Sequence, residues 1–241
     1  MIGMLYWQYY LLGIILLPGI ILAAYAQYKV SNTYNVFSKL PAKIGKSASE
    51  IARLLLDTAQ LQNVKIITAK GGKMSDYYDP KNKCLALSEP QSTSVASISV
   101  AAHEVGHALQ HKAKYAPIYL RNLAINLSNL TSNLLMPLVI IALLFNFWIM
   151  PTSTLGTIIL WIAVGSFGLS ALISVVTLPV EYDASKRATA VLHKSGIFDE
   201  QETVYAKRML NAAALTYVAS MIISLLSLLR IIIIFTRIRN N

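Results

Sequence analysis

Between residues 122 and 180 the chain carries no Asp, Glu, Lys, Arg or His. So long a stretch without an ionisable side chain cannot be the surface of a soluble domain, because its apolar residues need cover other than water. The whole chain repeats the signal: 55% of residues are hydrophobic and 13% are charged, against roughly 25% charged in soluble domains. The apolar residues gather at 9–26, 127–149, 155–178 and 212–235, each close to the roughly 20 residues that cross a bilayer. These runs predict a mainly α membrane protein with about four transmembrane helices.

The formal net charge is +10, but its placement argues against a nucleic-acid surface. Lys and Arg number none in 1–28, thirteen in 29–121, none in 122–185, five in 186–208 and three in 209–241. Basic residues therefore alternate with apolar runs, as in a multi-pass protein of the plasma membrane whose positive segments stay inside. This puts 29–121 and 186–208 in the cytoplasm and the uncharged connection at 150–154 outside. Ala24-Tyr25-Ala26 has the small-residue spacing of a signal cleavage site, yet no Lys or Arg precedes the run and Lys29 follows it. An uncleaved anchor fits that charge order better. The single cysteine, Cys84, allows no internal disulfide and fits a reducing compartment. The domain division expected is an anchor at 1–27, a cytoplasmic catalytic part at 28–118, a membrane hairpin at 119–179, a ligand-bearing helical region at 180–210 and a last membrane helix at 211–241.

The chemistry is concentrated in His103-Glu104-Val105-Gly106-His107. Residues four apart on an α-helix are offset by only about 40°, so both imidazoles can reach one metal ion from one face. Glu104 stands about 100° round from His103, beside the ligand line, where it can take a proton from a water activated by the metal. The flanks Val100, Ala101, Ala102, Ala108 and Leu109 are too apolar for two incidental surface histidines. His111 lies about 12 Å along the axis from His103, too far to share its metal. A third ligand must come from another part of the chain.

Glu181 is the first ionisable residue after the charge-free stretch. A membrane hairpin returns the chain to the side it left, so a carboxylate there can face the histidine helix. We take Glu181 as the third ligand and Asp183, about 200° round the same helix, as the fallback or the partner of Arg187. Two histidines, one carboxylate and an open position are the pattern of a catalytic zinc site, one Zn²⁺ per chain.

Around this centre, Ser47 and Glu50 form a capping box for a short amphipathic helix ending near residue 61. Strands are expected at 64–69 and 84–88, giving a short hairpin or small sheet, with 74–80 read as loop. Were 84–88 an edge strand, its backbone could hold an extended peptide. Ser92 or Ser94 caps the histidine helix, which runs to about Lys112.

Read together, Gly72-Lys73-Met74-Ser75-Asp76-Tyr77-Tyr78-Asp79-Pro80, the run 101–111, Leu178-Pro179-Val180-Glu181-Tyr182-Asp183-Ala184-Ser185 and Leu210-Asn211-Ala212-Ala213-Ala214-Leu215-Thr216-Tyr217 resemble the YugP-like neutral zinc metallopeptidases of prokaryotic membranes. A more distant likeness is to the HtpX-type and CAAX prenyl protease metallopeptidases. There a glutamate after a membrane hairpin supplies the third zinc ligand, a role that falls here on Glu181; those enzymes commonly have an Asp where this chain has Ser185. The resemblance implies a membrane-embedded zinc endopeptidase with a gluzincin-like core and a protein or peptide substrate. Tyr77, Tyr78, Tyr182, His193 and Arg187 are the candidates for stabilising an oxyanion. The rival readings are a catalytically inactive zinc-binding scaffold or adaptor, and a transporter; the absence of ionisable residues from 122 to 180 argues against the transporter.

Overall fold

The structure, a computed structural model, describes residues 13–123, 137, 141 and 154–240. The predicted span at 127–149, apart from 137 and 141, lies outside the described residues, as do residues 150–153 of the predicted connection and residues 1–12. The elements are α1 (Leu17–Phe37), α2 (Ala48–Thr58), β1 (Lys65–Thr68), β2 (Tyr77–Asp79), β3 (Cys84–Leu87), α3 (Val95–Lys112), α4 (Thr154–Lys194) and α5 (Glu200–Asn240). The protein is thus mainly helical with one small sheet, and it divides into two compact units. One comprises Met1–Tyr25, Tyr119–Leu178 and Tyr217–Asn241; the other comprises Ala26–Ile118 and Pro179–Thr216.

The first unit contains the most apolar parts of α4 and α5, up to Leu178 and from Tyr217. Among the described residues two segments are long and apolar enough to cross a bilayer, Val164–Lys194 and Glu200–Ile233, where four spans were expected from the sequence. Leu172, Val175, Leu225 and Leu229 are each more than 40% exposed. Such outward apolar side chains fit a lipid-facing surface and not the core helices of a soluble protein. The helices meet through small residues, as membrane helices do. A Cβ on Gly19 would lie 2.8 Å from Ile223 Cγ1, and the Ser174 and Ser224 hydroxyls pair at 2.9 Å.

The second unit begins with the ends of its helices. Ser47 and Glu50 form the predicted capping box, and α2 buries Ile51, Ala52, Leu55 and Leu56 on the face that helical spacing marks as apolar. Ser94 caps α3, its hydroxyl accepting from the Ser97 N–H. The segment before α2 runs beside the segment before α3, with Ala42 N–H donating to Thr93 O and Val95 N–H to Leu40 O. Those bonds fix where α3 starts. Leu85, Leu87, Ile98, Val105, Leu192 and Phe198 fill the core between α2, α3, the sheet and the C-terminal part of α4.

The sheet order is β1-β3-β2, with β3 parallel to β1 and antiparallel to β2. This corrects two expectations. Residues 84–88 do not form an edge: β3 is the central strand, and Leu85, Ala86 and Leu87 are buried in an unbroken run, as befits a strand covered on both faces. Residues 74–80 are not all loop, because Tyr77–Asp79 forms the edge strand β2. Three residues are too few to show a period of two. Asp79 then closes the β2–β3 turn by accepting from the Lys81 and Asn82 N–H groups.

Pro179 also behaves differently from expectation. A helix end was predicted there with a new helix from Glu181, but α4 continues through it to Lys194. Proline removes one intrahelical donor and crowds the preceding turn, yet α4 runs on through it. Glu181 is therefore a mid-helix residue. The chain turns only at Gly196, with φ of 67°, the left-handed conformation that glycine adopts without a Cβ penalty.

One carboxylate joins three parts of this unit. Glu89, just beyond β3, accepts from the Tyr34 hydroxyl of α1 at 2.7 Å and from the Ser97 hydroxyl of α3 at 3.0 Å. The Tyr34 bond, helped by Ser97 and Lys73, holds the Glu89 carboxyl below its ordinary range in spite of partial burial. A carboxyl with a depressed folded-state pKa stabilises the fold above its unfolded value near 4.3, and that contribution fades as pH falls through the lower folded value. Glu89→Gln should cost about 1–2 kcal/mol at neutral pH and flatten the acid limb of stability, as read by thermal melts in detergent across pH.

Candidate metal centre

His103 and His107 project from one face of α3, their rings 4.8 Å apart between centroids and inclined at 82°. Glu181 comes from α4, and its side chain is 1% exposed. Its Oε2 lies 3.2 Å from His103 Nε2 and 3.6 Å from His107 Nε2. Each of the three residues offers a ligand atom within 4.8 Å of the other two. Tetrahedral zinc with bonds of about 2.0–2.1 Å would hold its ligand atoms roughly 3.3 Å apart, so the two measured spacings bracket that value. The donor set fits zinc in kind as well, with two imidazoles, a buried carboxylate and no sulfur.

The ring nitrogens facing away from this point are also engaged. Ser185 Oγ lies 3.1 Å from His103 Nδ1, and Gln110 Oε1 lies 3.0 Å from His107 Nδ1. Such outer contacts fix the orientation of metal-binding imidazoles and leave Nε2 to the metal. The Ser185 hydroxyl thus occupies a supporting position beside His103.

Backbone contact brings the two helices this close. A Cβ on Gly106 would lie 2.5 Å from the Ala184 carbonyl oxygen and 3.2 Å from Ala184 Cα. Ala184, Ala188 and Val180 are all buried on the facing side of α4. Glycine in the fourth position of the histidine motif is therefore required by packing, a role the motif spacing does not reveal.

Glu104 is buried, and among the described residues no hydrogen bond or ion pair is recorded for its carboxylate. Asp183, the fallback ligand, is committed elsewhere: its Oδ2 accepts from Gln110 Nε2 at 2.9 Å and from Arg187 Nε at 2.6 Å. That pairing with Arg187 is the alternative foreseen for it. Of the oxyanion candidates, Arg187 lies 5.8 Å from the centre of the Tyr115 ring, and His193 Nδ1 is 3.5 Å from Thr203 Oγ1. Tyr77 on β2 is 48% exposed and Tyr182 on α4 is 47% exposed. The Tyr78 ring stands 6.3 Å from that of His111.

Residues 12–236 match the family described as "Putative neutral zinc metallopeptidase". The chain is also similar to the "Putative membrane protease YugP" of Bacillus subtilis (strain 168), with 36% identity over 217 residues that cover 89% of this chain and 92% of that protein. No solved structure matches.

The close approach at Gly106 can be tested directly. Gly106→Ala should push α3 and α4 apart by several tenths of an ångström and cost about 1–3 kcal/mol through overpacking. Because a 1 Å misplacement costs about 100-fold in rate, a shift of this size should lower peptide hydrolysis several-fold to about 10-fold while circular dichroism still reports a helical protein.

Proposed function

The chain belongs to the neutral zinc metallopeptidase family, and from that premise we propose that it is a membrane-embedded endopeptidase in which His103, His107 and Glu181 hold one zinc ion and Glu104 is the general base. The convergence of three ligand-type side chains from two helices, 78 residues apart between His103 and Glu181, carries this reading. The zinc, once bound, supplies Lewis acidity, acidifying a water and polarising the scissile carbonyl. Glu104 accepts the proton of the attacking water and returns it to the leaving amine. It suits this duty because its burial favours proton transfer away from bulk solvent while its carboxylate is not committed to another described side chain. Glu181, held between the imidazoles, stays with the metal and takes no part in proton transfer.

The core is gluzincin-like in this reading, and β2, as the edge strand packed against α3, is the place for an extended peptide. Substrates are membrane-associated or misfolded membrane proteins, because Glu181 follows immediately on the charge-free stretch. The basic residues of 29–121 and 186–208 set the site on the cytoplasmic side. The domain division given above and four spans, including those beyond the described residues, complete the proposal.

An inactive scaffold would have the same ligands but no need of Glu104. Metal analysis and peptide hydrolysis on purified variants separate the readings. Glu104→Gln should keep one zinc per chain and lose at least about 100-fold in activity, whereas Glu181→Ala should lose the zinc; unchanged hydrolysis in Glu104→Gln would favour a different base. The topology has its own test. In a Cys84→Ser background, Asn82→Cys should resist a membrane-impermeant maleimide on intact cells and react after permeabilisation; labelling of intact cells would place the site outside.

A further inference from the structure

Gln110 is fully buried, one turn beyond His107 on α3. A buried primary amide has four hydrogen-bonding positions, each costly to leave unused. Here Nε2 donates to Val180 O at 2.7 Å and to Asp183 Oδ2 at 2.9 Å, while Oε1 lies 3.0 Å from His107 Nδ1. Neither a peptide carbonyl nor a carboxylate bound to Arg187 can donate. The NH₂ end of the amide must therefore face α4, and the carbonyl end must face the histidine. A carbonyl oxygen only accepts, so the neutral His107 ring must carry its proton on Nδ1 and its lone pair on Nε2, the atom directed at Glu181.

The two acceptors on α4 flank Glu181 in sequence, one residue before it and two after. Gln110 consequently ties one imidazole of α3 to the turn of α4 that supplies the carboxylate. Arg187 stabilises the arrangement from the far side, pairing with Asp183 at 2.6 Å while lying over Tyr115. Tyr115 is itself held to α3, its N–H donating to the Gln110 carbonyl at 3.0 Å. The path Arg187–Asp183–Gln110–His107 is thus made of directional polar contacts, two of them to a carboxylate and so stronger than neutral ones.

We propose that Gln110 is the positioning residue of the metal centre: it sets the His107 tautomer and, through Val180 and Asp183, fixes the level of Glu181 against α3. The proposal rests on the zinc reading above, but its first test needs no metal. In full-length, metal-free protein labelled with ¹⁵N-histidine and held in detergent with its imidazoles neutral, the His107 shifts should show protonated Nδ1 and unprotonated Nε2. Gln110→Met, of similar length and unable to make the bonds, should lose that preference and, in competition with a chelator, bind zinc about 10- to 100-fold more weakly. Asp183→Asn, which keeps an oxygen for the Gln110 amide, should retain the tautomer and stay closer to the parent in zinc affinity than Gln110→Met does. A parent protein with His107 protonated on Nε2 would overturn the proposal without any variant, as would a Gln110→Met protein with unchanged tautomer and affinity. Failure of the parent to bind zinc would instead count against the preceding reading, because the tautomer is measured without it.

Discussion

The contact between Gly106 and the backbone of Ala184 is the constraint on which the rest of the centre depends. Imidazoles and a carboxylate can share a point only if the helices carrying them come nearer than ordinary side chains allow, since helix axes usually pack 8–10 Å apart. A glycine on α3 opposite an alanine on α4 removes the side-chain layer at that crossing. His103 and His107 on one side then meet Glu181 and Ser185 on the other. The same economy of side-chain volume recurs at Gly19 beside Ile223.

Burying ionisable groups is costly, and this unit repeatedly places them where partners are already fixed. Glu89 is received by Tyr34 and Ser97; Asp183 by Arg187 and Gln110; Glu202 by the backbone N–H groups of Lys43 and Asp199. Each of these acids joins segments distant in sequence, and each is held by donors rather than left to apolar surroundings, as burial demands. Glu181 faces two rings whose far nitrogens are already engaged. A metal ion held by the three would balance the buried Glu181 charge, so in the proposed reading metal affinity and helix packing respond together to substitution.

Much of this was legible in the residues, for identifiable reasons. The histidine pair, the Ser47 and Ser94 caps and the return of Glu181 after a charge-free detour depend on spacing and charge, both visible in one dimension. The family expected from the sequence is the one matched. The edge strand Tyr77–Asp79 was not legible, because three residues carry no periodicity, and the central place of Cys84–Leu87 depends on pairing with β1 across 15 intervening residues, 69–83. Pro179 misled because proline usually ends or kinks a helix, and nothing in its local sequence marks the helix as continuing. Gly106 and Gln110 read as ordinary helix residues; their roles exist only in relation to α4. The described helices account for two of four expected spans, the others falling wholly or partly outside the described residues.

The most direct measurement of the central claim is ligand substitution read by spectroscopy. In a Cys84→Ser background, Glu181→Cys loaded with Co²⁺ places a thiolate where the carboxylate meets the imidazoles, and it should give an intense near-ultraviolet thiolate-to-cobalt charge-transfer band. The same substitution at Asp183, two residues along α4, should give none. A band from position 183, or silence from position 181 in a protein that still binds cobalt, would contradict the convergence of Glu181 with His103 and His107.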